Sequence, residues 1–151
     1  MIKKILITIG LLSTLFIMVA CSTANAQKQD YKALDNQEIT ITDASLFDQN
    51  PHMIKQVEIA QDGQVMITLI SNASTGFTWN ANAELSDSSI LAQLKHETII
   101  ANSDKVGAPG VEQWTLNALK KGTATVKFDY SRPWEGGEKG IWTLELTVIV
   151  K

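Results

Sequence analysis

The chain has 151 residues, 44% hydrophobic and 19% charged, which suits one globular domain with a sizeable core. Its 13 basic and 16 acidic residues leave a net charge of −3, so nothing electrostatic favours a nucleic-acid partner. One cysteine excludes an intramolecular disulfide framework or a thiolate metal cluster, and two histidines, His52 and His96, leave little for zinc or triad chemistry, so the arithmetic disfavours an enzyme and a metal site.

Met1-Ile2-Lys3-Lys4 is a basic start, and residues 5–20 carry no charge. That run is short for a membrane-spanning helix, which needs about 20 apolar residues, and has the form of an export signal. No polar face recurs at helical spacing, which speaks against a core helix. Two cleavage sites compete. Met18-Val19-Ala20-Cys21 resembles a bacterial lipobox, with methionine where leucine is usual, whereas Ala24-Asn25-Ala26 fits ordinary signal peptidase. The first predicts a signal peptide over 1–20 and acylation of Cys21, with several acyl chains together holding the protein on a membrane. Ser22 then favours sorting to the outer membrane, facing the periplasm. Cleavage after residue 26 would instead give a soluble periplasmic or secreted protein. Residues 21–30 lack apolar periodicity and read as a tether, leaving 31–151 as the domain.

The domain reads as short strands. Glu38–Thr42 and Gln56–Ala60 alternate apolar and polar residues, the period of a half-buried strand. Gln61-Asp62-Gly63-Gln64 is a hairpin signal, after which Val65, Ile67 and Leu69 share a face. Residues 86–101 are ambiguous: Ile90, Leu91 and Leu94 allow a helical turn, while His96–Ile100 has strand character. Trp114-Thr115-Leu116 precedes a turn signal at Lys121-Gly122. Ala124, Val126, Phe128 and Tyr130 then alternate, as do Trp142, Leu144, Leu146, Val148 and Val150. Seven to eight strands, no βαβ unit and no long helix predict an all-β, two-sheet sandwich. Trp79, Trp114 and Trp142 fall in strands and are expected in the core.

The distinctive residues lie between the strands. Asn72-Ala73-Ser74-Thr75-Gly76 leads into Phe77 and Trp79; Gly107-Ala108-Pro109-Gly110 precedes Glu112; Arg132-Pro133-Trp134 follows Tyr130. Loops of a sandwich gather at its two ends, so three of them on one end would make a composite binding edge on a rigid scaffold.

These three stretches resemble the signature loops of the chagasin family, whose patterns are N-P-[ST]-T-G-[FY]-x-W, G-x-G-G and R-P-W in this order. The resemblance runs from about Val65 to the C-terminus. It implies an immunoglobulin-like β-sandwich that inhibits papain-like cysteine peptidases reversibly, without a cofactor, and acts as a monomer. It further implies that the first loop enters the target's active-site cleft with Ser74 and Thr75 nearest the catalytic cysteine. Asn72 and Gly76 would shape that loop, Gly107, Ala108 and Gly110 would offer a nearly side-chain-free strip, and Arg132, Pro133 and Trp134 would pack beside the cleft. Trp134, on a proline-stiffened loop, has the features of a binding hot spot. Arg132 either bonds the target or braces the first loop from within.

Two departures from the pattern stand out. Ala73 replaces the family's proline, leaving the first loop less restricted. Pro109 stands where the second loop has glycine, fixing φ near −65° and removing an N–H donor. The competing expectation is a non-inhibitory immunoglobulin-like binding or adhesion module on the cell envelope. Exposure of Trp134 beside the first loop separates the two, since a buried Trp134 would favour the binding module.

Overall fold

Alternating apolar side chains require strands that each bury one face, and nine strands form among the described residues. The computed structural model describes residues 34–100 and 107–151; the expected signal peptide, both candidate cleavage sites, Cys21 and the expected tether lie outside the described residues. Strand β1 is Asn36–Ile41, helix α1 Ala44–Gln49, β2 His52–Ile59, β3 Gln64–Ser71, β4 Thr78–Trp79, β5 Glu84–Leu85, β6 Leu91–Ile99, β7 Gly110–Ala118, β8 Gly122–Ser131 and β9 Trp142–Val150. One sheet runs β1-β3-β7-β6 and the other β2-β9-β8-β4, with β5 also on β8. The β1–β3 and β2–β9 pairs are parallel; the others are antiparallel. This is the all-β sandwich expected, and its count exceeds eight through the two-residue strands β4 and β5.

The alternation places the core where the sequence puts it. Val65, Ile67 and Leu69 of β3, Trp114 and Leu116 of β7, Val126 and Phe128 of β8, and Leu144, Leu146 and Val148 of β9 are all fully buried. Each such aliphatic or phenyl side chain contributes about 1.5–3 kcal/mol relative to an exposed one. Trp79 and Trp114 are buried, and Trp142 is half-buried against the core.

Three local expectations change. Gln61–Gln64 does not close a β-hairpin, because β2 pairs with β9 in one sheet and β3 with β1 and β7 in the other. The turn, with Asp62 at φ 67°, instead carries the chain between the sheets. Both flanking strands then bury their apolar faces in one core from opposite sides. Residues 91–99 resolve as strand, with a register shift between Gln93 and Lys95 that leaves Leu94 exposed. That bulge breaks the period-2 pattern and produces the helical-looking spacing. Helix α1 was not expected; six residues are too few to display a helical period. Asp43 caps it by accepting from the Ser45 amide at 2.9 Å, and Phe47 is fully buried. The Phe47 ring stacks on Trp142 at 5.1 Å, Trp142 on Tyr130 at 4.9 Å and Tyr130 on Phe77 at 5.5 Å.

The registers decide where the loops lie. Ser71 faces Gly110, Ile99 faces Val111, Thr78 faces Ser131 and Tyr130 faces Trp142. The β3–β4, β6–β7 and β8–β9 connections therefore leave the sandwich at the same end.

Candidate functional site

The first loop is wound by its own polar side chains. Ala73–Thr75 form a single 3₁₀ turn begun by Asn72, whose Oδ1 accepts from the Ser74 amide at 3.2 Å and the Ser74 hydroxyl at 2.6 Å. The Thr75 hydroxyl donates to the Asn72 carbonyl at 2.6 Å, and the Gly76 amide to Ala73 O at 3.0 Å. These bonds restrict the turn locally where the family's proline would have restricted it covalently. Gly76 adopts φ 80°, a left-handed conformation open to few other residues. Ala73, Ser74 and Thr75 project into solvent, while Phe77 is buried and anchors the loop's exit. The loop's start is tied down as well, since the Asn72 amide donates to the Tyr130 hydroxyl at 2.9 Å.

The third loop leans on the first. The Trp134 six-membered ring lies so close to Gly76 that a Cβ there would meet its Cη2 at 2.6 Å. Trp134 is nevertheless 51% exposed, with Pro133 exposed beside it. Exposure beside the first loop is the arrangement that separates an inhibitory edge from a module with a buried Trp134. Arg132 joins the two loops. Its guanidinium lies 4.4 Å from the Phe77 ring centroid and 5.8 Å from that of Trp134, donates to Thr75 O at 3.5 Å, and pairs with Glu138 at 3.0 Å. Of the two roles expected for Arg132, the geometry shows the bracing one. The loop closes on itself through Arg132 N to Glu138 O at 2.8 Å and Gly137 N to Trp134 O at 3.2 Å. Lys139 Nζ adds bonds to the Arg132 and Trp134 carbonyls.

The second loop touches the first through Gly107, whose carbonyl accepts from Asn72 Nδ2 at 3.3 Å. Gly107 holds φ 83° and is exposed, Ala108 is half-buried, and Pro109 is exposed. The left-handed position is thus 107 and not 109, so a proline fits at 109 without backbone strain. Gly110 has a different job. It opens β7, where a Cβ would meet Ile99 O at 2.4 Å, so the close approach of β6 requires glycine there. Residues 101–106 lie outside the described residues.

Asn72, Ser74, Thr75, Gly76, Gly107, Ala108, Gly110, Arg132, Pro133 and Trp134 therefore share one end of the sandwich. Beside them lies an open groove of about 740 Å³ whose lining includes Asp43, Ala44, Phe77, Pro109, Tyr130 and Trp142. Sequence reading missed the supports Phe77, Tyr130 and Glu138. Tyr130 follows the ordinary alternation of β8 and Phe77 stands at the aromatic position of the family pattern, but their role as loop anchors emerges only from the fold. Among the described residues no group of His, Cys, Asp and Glu could hold a metal ion, and no helix is long and apolar enough to cross a membrane.

Residues 58–148 match the model of the chagasin family peptidase inhibitor I42, which covers more than half of the chain. The chain belongs to the chagasin family. It is a peptidase inhibitor and not an enzyme. It is also similar to Amoebiasin-2 of Entamoeba histolytica, 35% identical over 98 residues that make up 63% of this chain and 76% of the relative. The crystal structure of the cysteine protease inhibitor EhICP2 from the same organism superposes with a TM-score of 0.60 at 26% identity, over 77% of this chain and 96% of that one. PbICP-C, solved in complex with falcipain-2, shares the fold with a TM-score of 0.56 at 14% identity, over 78% and 99% of the two chains. The sandwich is thus of the immunoglobulin-like chagasin type.

Proposed function

We propose that this inhibitor of papain-like cysteine peptidases acts by seating the three-loop edge across the target's active-site cleft. The observation that carries the mechanism is the mutual bracing of the loops, with Ser74, Thr75 and Trp134 exposed at the crest while Asn72, Gly76 and Arg132 hold them from beneath. A substrate is cut when its carbonyl sits about 3 Å from the nucleophile in attack geometry. This 3₁₀ turn keeps the Asn72 and Ala73 carbonyls in internal bonds and the Thr75 carbonyl against Arg132, so it fills the cleft without offering an extended scissile peptide. Preformed loops also lose little entropy on docking. The three together suit a standard interface of about 800 Å² on each partner.

In this reading Ser74 and Thr75 lie nearest the catalytic cysteine, Trp134 and Pro133 pack beside the cleft, and Gly107 and Ala108 approach through the main chain. The inhibitor works as a monomer tethered through a lipid on Cys21 to the outer membrane, facing the periplasm. Titration of the full chain in mild detergent against papain, with trypsin as control, tests the mechanism. Inhibition of papain alone at about micromolar or tighter, with the inhibitor recovered uncut, is expected; cleavage within 72–77 would overturn it. For the anchor, Cys21→Ser should abolish labelling by a radioactive fatty acid and release the protein from membranes; unchanged membrane retention would overturn it.

A further inference from the structure

Glu112 stands in phase with Trp114, Leu116 and Ala118 on the inward face of β7, and is 1% exposed. A carboxylate at such a position costs several kcal/mol unless it is fully hydrogen-bonded. Four donors or partners surround it. Oε1 accepts from the Ser71 hydroxyl at 2.8 Å, the Thr78 hydroxyl at 3.1 Å and the Trp79 amide at 3.1 Å. Oε2 meets His96 Nε2 at 2.9 Å, and the His96 ring rests on Trp114 at 4.8 Å.

The identity of these partners is informative. Ser71 is the last residue before the first loop, and Thr78 and Trp79 are the first strand residues after it. The loop crosses from one sheet to the other, so its two stems share no ladder: β3 pairs with β1 and β7, and β4 with β8. Their separation must be set by side chains. The Trp79 indole supplies one link, donating to Ile70 O at 2.8 Å. The other converges on a single oxygen of Glu112, with His96 holding the second oxygen from β6.

We propose that Glu112 is the positioning residue of the first inhibitory loop, clamping both of its stems so that the 3₁₀ turn meets the peptidase in one preformed geometry. This rests on the reading that the loop enters the cleft. Glu112 itself touches no target. Its effect passes through Ser71, Thr78 and Trp79 to residues 72–77. A carboxamide of the same shape still offers an oxygen to those three donors, while its amino group can face His96 Nε2 in the other tautomer.

The full chain in mild detergent, carrying Glu112→Leu, Glu112→Gln or the pair Ser71→Ala/Thr78→Val, is compared by papain inhibition and by amide NMR of residues 72–77. Val148→Ala, in the core away from the loops, controls for lost stability. Glu112→Leu should raise the inhibition constant about tenfold, mainly through slower association, and broaden the loop amides. Glu112→Gln should restore both to within about threefold, and Val148→Ala should change inhibition by less than about twofold despite a lower Tm. Ser71→Ala/Thr78→Val should fall between and decides the matter if Glu112→Leu fails to fold. Wild-type inhibition and unbroadened loop amides in that pair, or a loss in Val148→Ala equal to that in Glu112→Leu, would overturn the proposal. If the wild-type chain spares papain while the loop amides still respond to Glu112→Leu, the clamp stands and the cleft-blocking reading fails.

Discussion

The two ends of the sandwich are closed by different means. At the end opposite the three loops, main chain meets main chain: Asp62 N donates to Ala118 O at 2.8 Å, Ala118 N to Gly63 O at 2.9 Å, Leu119 N to Ile90 O at 2.8 Å and Lys151 N to Ile59 O at 2.9 Å. At the loop end the decisive contacts run through side chains. Asn72, Tyr130, Arg132, Lys139 and Ser131 tie down turns that no ladder reaches. Backbone closure is nearly indifferent to residue type, whereas side-chain closure makes loop shape depend on a few named residues. The plain end can keep the fold while residues at the braced end vary, as they do at Ala73 and Pro109, where the chain departs from the family pattern.

The sharpest break of this comparison removes the exposed ring. Trp134→Ala should weaken papain inhibition by about 2 kcal/mol, roughly thirtyfold, on hot-spot magnitudes. Leu119→Ala, which removes a smaller exposed apolar side chain at the plain end, should leave inhibition unaltered. Equal effects from both would dissolve the distinction between the ends.

Somewhat smaller is the expected consequence of a charge at the crest. Thr75→Asp removes the hydroxyl bond to Asn72 O and brings a carboxylate beside the target's thiolate, for a loss of about tenfold. Inhibition kinetics at two salt concentrations would check it, and unchanged inhibition would mean that the first loop stays outside the cleft.

Next comes the brace. Arg132→Lys keeps the positive charge but loses the planar group over Phe77 and the fork that reaches Thr75 and Glu138, so inhibition should fall about fivefold. Amide exchange of the first loop should quicken in the same variant, while exchange at Asp62 and Leu119 stays as it was.

The smallest effect concerns acid. Hydrogen bonds from the Ser45 side chain and amide hold the Asp43 carboxyl below the usual carboxylate range, and those from the Ser89 side chain and amide do the same for Asp87. A depressed folded value means the stabilisation is present above the unfolded value, near 3.9, and is lost as pH falls through the folded one. Tm should therefore drop on acidification below about pH 4, and by less in Asp43→Asn/Asp87→Asn, whose amides still accept the same bonds. Identical acid profiles for the two proteins would remove these carboxyls from the account.

Much of the fold was legible in residue order. The alternation in 124–130 and 142–150 needs only that every second side chain leave water, and those residues are buried as read. The three loops were legible too, since Asn72, Gly76 and the Arg132-Pro133-Trp134 run are turn and anchor chemistry written locally. Partner choice was not legible. Asp62-Gly63 has the residues of a hairpin, yet the flanking strands join different sheets, because hydrogen-bonded neighbours are selected by the whole core and not by the turn. Helix α1 escaped for want of a full period, and Leu94 misled because a bulge displaces the pattern by one residue.

The sequence by itself thus determined an all-β domain, its core residues and the composition of three unusual loops, since each of these depends on interactions within a few residues. Tertiary structure alone decided that the loops share one end, that Arg132 braces where it could have reached outward, and that Glu112 lies between the stems of the first loop. Those outcomes depend on strand register across two sheets and on side chains from distant segments, such as Ser71, Thr78 and His96, reaching the same two oxygen atoms.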